Sequence, residues 1–214
     1  MGLLAAVLAL AACTDNTGDE PGASGSAGPD SSGAGTAATS PGASGSSSLS
    51  ASPSPSASPI AGECASVLPI SALEQAMGFP VIGRTEFIVG TAEPSIDRIS
   101  YLNCRYGLAD PVEGQPAPVP QVEVGISAYG SPASAADRVQ GTIDAYRGAG
   151  ATQSPVPVGA LTGTVLIGSG EPTLVVASGN RTVAVTVVAA LLPAERRDAI
   201  LAAVAQRALT GAGG

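Results

Sequence analysis

Few residues of this chain could do covalent chemistry, and its three cysteines are the clearest of them. Cys13, Cys64 and Cys104 make up the cysteine set, while the sequence contains no histidine and no lysine. Without an imidazole there is no Ser-His-Asp or Cys-His machinery, no histidine-ligated zinc and no histidine pH switch. Without lysine there is no Walker A loop, Schiff base or Ser-Lys dyad. Only carboxylate or tyrosine chemistry stays open, so we expect no enzyme activity, no cofactor and no metal site.

Cys13 ends a pattern that indicates export and lipid attachment. An apolar run over residues 3–10 leads into Leu10-Ala11-Ala12-Cys13, and polar residues follow at once. A short apolar segment, small residues before a cleavage point and a polar exit are typical of a secretory signal peptide. The Leu-Ala-Ala-Cys order resembles the bacterial lipobox, in which cleavage precedes the cysteine and the thiol carries a diacylglycerol. We therefore expect residues 1–12 to be a signal peptide and Cys13 to be lipidated.

Residues 1–12 depart from a standard signal peptide because they contain no lysine or arginine. Signal peptides begin with a positively charged region. We expect that translation starts upstream of Met1 and that the basic residues lie there. The alternative is that residues 3–12 form an ordinary apolar helix, which at about ten residues is too short to span a bilayer.

Residues 14–60 have the composition of a tether. Of these 47 residues, 40 are Ser, Gly, Ala, Pro or Thr. Such a segment buries too little apolar surface to offset the entropy of ordering it, so we expect it to be disordered. A flexible chain of this length spans roughly 35–40 Å. The tether would hold a folded domain, predicted at residues 61–214, away from a membrane.

The charge and composition of the chain argue against two further classes of partner. The formal net charge is −8, because nine arginines oppose seventeen acidic residues. Nucleic acids and anionic membranes require clustered cations, so we expect neither nucleic-acid binding nor electrostatic membrane adhesion. The use of arginine without lysine indicates a GC-rich genome, which is consistent with an actinobacterium. Aromatic residues make up 3% and tryptophan is absent, which predicts an aliphatic core.

Cys64 and Cys104 are the cysteines that remain once Cys13 is lipidated. An even count in an exported domain predicts a disulfide bond between them. Two buried free thiols are the alternative. The two residues lack Cys-x-x-Cys spacing, so we expect a structural bond and not a redox-active one.

Hydrophobic periodicity and turn residues predict the secondary structure of the domain. The capping-box pattern Ser71–Glu74 and the following Gly78 predict a short helix over residues 71–77. Ser131-Pro132 predicts the start of a second helix, and a third is predicted from about Pro193 to Leu209. Strands are predicted at residues 81–89, 98–106, 121–129, 164–167, 173–177 and 182–189. Their short connections predict an α+β domain, with an antiparallel sheet of about six strands carrying two long helices and one short helix on one face.

Several features together resemble a known family. A lipobox, a Ser/Gly/Pro tether, a cysteine before a short helix, and Cys104-Arg105-Tyr106 are similar to small secreted actinobacterial lipoproteins of unknown function. The element order also resembles PsbP-like α/β sandwiches and LpqN-type mycobacterial lipoproteins. In those relatives the aromatic residue after the second cysteine is often Trp, whereas this chain has Tyr106. The resemblance implies a fold and transfers no catalytic residue.

Four short motifs have a simple structural interpretation that we prefer to a functional one. Gly168-Ser169-Gly170 predicts a hairpin loop and not a phosphate loop, because no helix start or lysine follows. Asp110 and Glu113 predict a solvated loop and not a cation site, because Pro111 and Gly114 adjoin them. Arg196-Arg197 predicts an exposed helix face, with a partner contact as the alternative. Asn180-Arg181-Thr182 matches a glycosylation sequon but predicts a tight turn.

These features predict a membrane-anchored envelope lipoprotein on the extracytoplasmic face, acting as a non-catalytic binding or accessory module. The alternative is a carrier that holds a lipid chain in a cavity between sheet and helices, lined by Ala189, Ala190, Ala202 and Ala203. The expected partners are the membrane, through the lipid anchor, and an envelope protein or lipid ligand. We expect a monomer. The polarity of any large pocket distinguishes the two functions.

Overall fold

The computed structural model describes residues 58–60 and 62–213. The predicted signal peptide, Cys13 and all but the last residues of the predicted tether lie outside this part. The helices are α1 (Cys64–Val67), α2 (Ile70–Met77), α3 (Pro132–Gly148) and α4 (Arg197–Gly211). The strands are β1 (Arg84–Gly90), β2 (Arg98–Leu108), β3 (Val122–Tyr129), β4 (Thr152–Val158), β5 (Leu161–Ile167), β6 (Thr173–Ser178) and β7 (Arg181–Val187). Among these residues no helix has both the length and the apolar character needed to cross a bilayer.

The strands form a single sheet with the order β1-β2-β3-β7-β6-β5-β4. Every pair of neighbours in this described sheet is antiparallel. The sheet consists of two meanders, β1–β3 and β4–β7, which join where β3 pairs with β7. Helix α3 connects the two meanders along the chain. The α+β class and the antiparallel sheet are therefore as predicted, with seven strands in place of about six and two short helices, α1 and α2, in place of one.

The strand missing from the prediction is β4, at the edge of the sheet. Its sequence contains Pro155 and Pro157, both exposed, which alternate with the buried Val156 and Val158. Proline cannot donate a ladder hydrogen bond, so within a sheet it is confined mainly to edge strands. The two prolines conceal the strand pattern in the sequence and also keep this edge from pairing further.

Helices lie on both faces of the sheet, so the prediction that they cover one face is wrong. In β6, Leu174 and Val176 belong to the core that α4 covers, whereas Val175 between them packs with Ile143 of α3. Successive side chains of a strand point to opposite faces. Helices α1, α2 and α4 therefore cover one face, and α3 covers the other. The consecutive apolar residues of β5 and β6 reflect strands that are buried on both sides.

The larger core lies between α4 and the sheet. Leu201, Val204, Ala205 and Ala208 of α4 are fully buried. Alanine at two of these positions lets the helix approach the strands closely, which produces a dense interior. At its end α4 also touches α1, because a Cβ added to Gly211 would lie 1.8 Å from the Val67 carbonyl oxygen.

A disulfide bond joins Cys64 of α1 to Cys104 of β2, as the cysteine count predicts. The sulfur atoms are 2.06 Å apart and the Cα atoms 5.6 Å apart. Both residues are buried, and the bond between their sulfur atoms excludes the alternative of two buried free thiols in this structure. On the same face of β2, the Tyr106 hydroxyl donates a hydrogen bond to the Leu68 carbonyl oxygen at 2.6 Å. These two links fasten α1 and its following residue to the sheet.

The helix starts show where local signals succeed and where they fail. Ser131 is the N-cap of α3 as predicted, and its side chain accepts a hydrogen bond from the Ser134 N–H at 3.1 Å. The capping box at Ser71 is wrong, because α2 already begins at Ile70. The Glu74 carboxylate accepts instead from the Val81 N–H at 3.0 Å.

The predicted end of α2 is correct, whereas the predicted start of α4 is wrong. Gly78 takes a left-handed conformation with φ of 79° at the end of α2, as predicted. Helix α4 begins at Arg197 and not near Pro193, because residues 194–196 form a turn before it. Residues Ala189–Leu191 form a separate 3₁₀ turn further upstream. Glu195 consequently precedes the helix and lies in solvent.

Candidate functional site

The short motifs singled out in the sequence lie in ordinary surface positions. Gly168-Ser169-Gly170 lies in the loop between β5 and β6, and Asp110 and Glu113 lie in an exposed loop after β2. Within the described residues, no three metal-ligand side chains come together. Asn180 follows Gly179, whose φ of 54° makes the tight turn between β6 and β7.

The arginine pair at the start of α4 is divided between two environments. Arg196 is exposed, whereas Arg197 is half-buried and forms an ion pair with Asp198 at 3.1 Å. The predicted exposed helix face is therefore correct for Arg196 and not for Arg197.

A groove lies on the face of the sheet that α3 covers only in part. Helix α3 packs on the β5–β7 side, through Ile143 against Leu166 and Val175. The β1–β3 side of this face stays open, and Ile88 of β1 is 51% exposed there. Where the covered and open parts meet, strands β2, β3, β6 and β7 and one side of α3 enclose a cavity of about 250 Å³. We call this cavity the α3 groove.

The floor of the α3 groove contains the ring of Tyr101, which lies across two glycines. A Cβ added to Gly90 would lie 2.8 Å from the ring, and one added to Gly125 would lie 3.5 Å from it. Glycine inside a strand often marks a place where another group approaches closely. Here β1 and β3 supply the space that lets the tyrosine lie flat on the sheet.

The Tyr101 hydroxyl is a hydrogen-bond donor at neutral pH. Burial raises the pKa of this phenol, the Glu123 carboxylate raises it further, and the Arg98 cation partly opposes the increase. A raised pKa keeps the proton on the oxygen. Tyr101 is therefore suited to bind an acceptor and unsuited to act as a general base.

Arg98 lies beside this ring in a fixed position. The centre of its guanidinium group is 5.2 Å from the Tyr101 ring centroid, within the range of a cation–π interaction. The Arg98 Nε is buried and has no hydrogen-bond partner among the described residues. A buried donor without a partner is uncommon in folded proteins and needs an explanation.

Asp97 directly precedes Arg98 and connects the start of β2 to α3 through hydrogen bonds. It has a φ of 57°, a left-handed conformation that few non-glycine residues adopt. Its carboxylate accepts a hydrogen bond from the Ser134 hydroxyl at 2.6 Å, and its carbonyl accepts from the Gly130 N–H at 2.9 Å. The end of the groove is therefore bound to the first turn of α3.

The remaining charges of the α3 groove come from α3 and β3. Arg138 of α3 is exposed, lines the groove, and forms no ion pair with the described residues. Glu123 of β3 also lines it, and its carboxylate accepts a hydrogen bond from the Asn103 side chain at 2.8 Å. The hydroxyls of Ser127 and Thr182 add further polar groups. The groove thus has two cations, one carboxylate and several hydroxyls.

The alanines named for a lipid cavity do not line the α3 groove. Ala189 and Ala190 are exposed in the 3₁₀ turn, whereas Ala202 is buried in the core under α4. The lining of the groove is mixed, because Val139, Val175, Val183 and Ala184 also contribute to it. Its two arginines and its carboxylate are the placed polar groups that would orient a polar ligand in such a pocket.

The sequence analysis missed Arg98, Tyr101 and Arg138. A signal was present, because Tyr101, Asn103 and Arg105 alternate with buried residues in β2 and therefore share the other face. That alternation predicts an open polar face of the sheet. It does not predict that α3 lies beside this face, since α3 and β2 are distant in the chain.

No family model matches the chain, and no curated protein does. Among solved structures, the chain is similar to the extracellular domain of PknH from Mycobacterium tuberculosis, with 12% identity and a TM-score of 0.45. The likeness covers 72% of this chain and 98% of that domain. We draw no functional argument from it, and the resemblance to lipoproteins of the LpqN type stays a prediction.

Proposed function

We propose that this protein is a membrane-anchored envelope lipoprotein whose domain is a non-catalytic binding module with the α3 groove as its ligand site. The observation that carries the proposal is a preformed groove in which a buried arginine nitrogen has no partner among the described residues. Binding pockets typically combine a fixed concave shape with a few convergent polar groups.

Two features support an extracytoplasmic place for this module. The Cys64–Cys104 bond belongs to a class of link that persists in oxidising compartments and is rare in the cytosol. The Leu-Ala-Ala-Cys order at Cys13 is the pattern expected for lipid attachment. The tether would let the domain work within roughly 35–40 Å of the membrane.

The chemistry of the groove favours binding over turnover. Its phenol has a raised pKa, so Tyr101 keeps its proton at neutral pH. The Glu123 carboxylate already accepts a hydrogen bond from Asn103. General acid–base catalysis needs a group whose pKa lies near the working pH and which can reach the substrate. The three charged side chains in its mixed lining, Arg98, Glu123 and Arg138, also favour a polar ligand over a lipid chain.

The anchor is tested by Cys13→Ala and cell fractionation. We expect the wild-type chain in the membrane fraction and the variant in the soluble envelope fraction or the medium. If the variant stays in the membrane fraction as firmly as wild type, lipid anchoring at Cys13 is wrong.

The site is tested by filling the groove with a tryptophan. Thr142 of α3 lines the groove, whereas Gln140 on the same helix is exposed and does not. Native mass spectrometry of protein isolated from its host should show a retained small molecule in the wild type and in Gln140→Trp. The retained molecule should be lost in Thr142→Trp. Equal retention by Thr142→Trp and Gln140→Trp, or an empty wild type to which host extract adds no mass, would contradict the proposal.

A further inference from the structure

We propose that the α3 groove recognises an anionic group, a carboxylate or a phosphate, on a small polar molecule, through Arg98 and Arg138. This inference rests on the proposed function, since it names the ligand class of the same groove.

The first argument is the state of Arg98. Its side chain is half-buried, its Nε has no partner among the described residues, and no ion pair with a described acidic residue involves it. The adjacent carboxylate of Asp97 is directed to the Ser134 hydroxyl. The Nε itself is closed to solvent, but Arg98 lines the groove, so the rest of its guanidinium group can receive an acceptor from a ligand.

The second argument is that another cation faces the same cavity from a different element. Arg138 lies on α3, and Arg98 lies at the start of β2, yet both line the groove. This pairing occurs in a chain whose net charge is −8, so the groove opposes the overall charge of the protein. Guanidinium groups match the planar geometry of carboxylates and the oxygens of phosphates, often with two parallel hydrogen bonds.

The acidic residues near the groove limit the ligand but do not exclude an anion. Glu123 lines the groove, but its carboxylate accepts a hydrogen bond from Asn103. Asp137 lies beside Arg138 in a neighbouring cavity, outside the α3 groove. The ligand therefore has a single anionic end near the arginines, and hydroxyl groups elsewhere that suit Glu123 and Ser127.

The volume of the groove limits the size of the ligand. At about 250 Å³ it is smaller than the sites of about 300–1,000 Å³ that hold drug-sized molecules. Molecules of the size of a sugar phosphate or a small hydroxy acid fit this volume. The Tyr101 hydroxyl adds a donor for an oxygen of such a ligand.

The experiment is a calorimetric titration of the exported chain carrying Cys13→Ser, which removes the predicted lipidation site and keeps the rest of the protein. The probes are inorganic phosphate, citrate, glucose 6-phosphate and glucose at millimolar concentration. We expect saturable binding of at least one anionic probe and weaker or no binding of glucose. Affinity should fall with added salt, because exposed charges are screened.

Two variants and one control assign the binding to the groove. Arg98→Gln and Arg138→Gln should each weaken binding by about tenfold or more, as expected for loss of a charge-assisted hydrogen bond. Arg147→Gln makes the same charge change on α3, but Arg147 is paired with Asp144 at 2.6 Å and does not line the groove. Its affinity should stay within about twofold of wild type. Thermal unfolding of each variant shows that the domain remains folded.

A lipid headgroup and a free anion present the same chemistry, so a further arm separates the two sources. Vesicles of phosphatidylglycerol and of phosphatidylcholine are sedimented with the same protein and variants. If the protein cosediments with phosphatidylglycerol vesicles but not with phosphatidylcholine vesicles, and Arg98→Gln abolishes this, the ligand is a lipid headgroup. Binding of soluble probes without cosedimentation identifies a free anion.

Three results would overturn the inference and leave the proposed function in place. Glucose could bind as tightly as glucose 6-phosphate, or both arginine variants could keep wild-type affinity while Thr142→Trp loses it. Failure of every anionic probe to bind, in solution and on vesicles, also refutes anion recognition. The proposed function fails separately, when Thr142→Trp has no effect on a ligand retained from the host.

Discussion

The contact between the end of α4 and the end of α1 allows a sharp test of the fold. Gly211 is the last residue of α4, and Val67 is the last residue of α1. In Gly211→Ala, the new Cβ would lie 1.8 Å from the Val67 carbonyl oxygen and 2.7 Å from its carbonyl carbon. We expect this substitution to destabilise the domain, although glycine-to-alanine changes usually favour a helix.

The magnitude follows from how far the backbones would have to move. Real Cβ atoms essentially never approach within 3.0 Å of a non-bonded heavy atom of a distant residue, so α1 and α4 would have to separate by about 1.2 Å (3.0 − 1.8). Helix α1 cannot follow freely, because Cys64 is bonded to Cys104 and Leu68 is held by Tyr106. Overpacking of this kind typically costs about 1–3 kcal/mol.

The matched control is Gly141→Ala in the middle of α3. A Cβ at Gly141 meets no atom within 4 Å, so only the helix propensity changes. This control should stabilise the domain by about 0.5–1 kcal/mol, the ordinary gain over glycine in a helix.

The assay is urea unfolding of the oxidised protein, followed by circular dichroism. The two substitutions should shift the free energy of unfolding in opposite directions. A Gly211→Ala protein that is as stable as wild type, or more stable, would refute the predicted contact between α4 and α1.

Three further predictions concern the links between α1 and the sheet. Replacing both Cys64 and Cys104 with alanine should lower the free energy of unfolding by about 4 kcal/mol, since the bond spans 40 residues. As a control, dithiothreitol should destabilise only the wild type. A loss below about 1 kcal/mol in the double variant would contradict a stabilising role of the bond. Tyr106→Phe leaves the Leu68 carbonyl without its donor and should lower the free energy of unfolding, measured in urea at neutral pH, by about 1–3 kcal/mol. An unchanged urea midpoint would mean that this hydrogen bond does not contribute to stability. Burial raises the pKa of Tyr106 above its ordinary value of 10.0, so the folded state keeps a proton that the unfolded state loses. The stability that this protonated phenol contributes is complete below about pH 10, and it is lost as the pH rises above that value. In Tyr106→Phe the free energy of unfolding should therefore fall less steeply with pH. An equal slope in both proteins would contradict the raised pKa of Tyr106.

Local signals in the sequence predicted the features that depend on a few neighbouring residues. Ser131 begins α3 because its hydroxyl reaches an N–H three residues ahead, and Gly78 ends α2 because it adopts a left-handed conformation without strain. The capping box at Ser71 failed although its residue types were suitable. The helix starts one residue earlier, and the Glu74 carboxylate is used by Val81.

Features that depend on distant residues were outside the reach of the sequence patterns. The prolines of β4 fit a strand only because that strand lies at the edge, which is a property of the sheet order. The two-sided burial of β6 around Val175 became interpretable once α3 was seen on the second face. The α3 groove belongs to this group, because it exists where a helix covers half of a face.

The sequence by itself determined the class of the domain, the pairing of Cys64 with Cys104, the start of α3 at Ser131 and the end of α2 at Gly78. These depend on composition, residue count and short-range sterics, which are local quantities. Only the tertiary structure decided that β3 pairs with β7, that α3 lies opposite α4, and that Arg98 and Arg138 line one cavity. The physical reason is that the alternation of side chains between the two faces of a strand is local and can be read from the sequence. Which helix packs on each face depends on the packing of the whole chain.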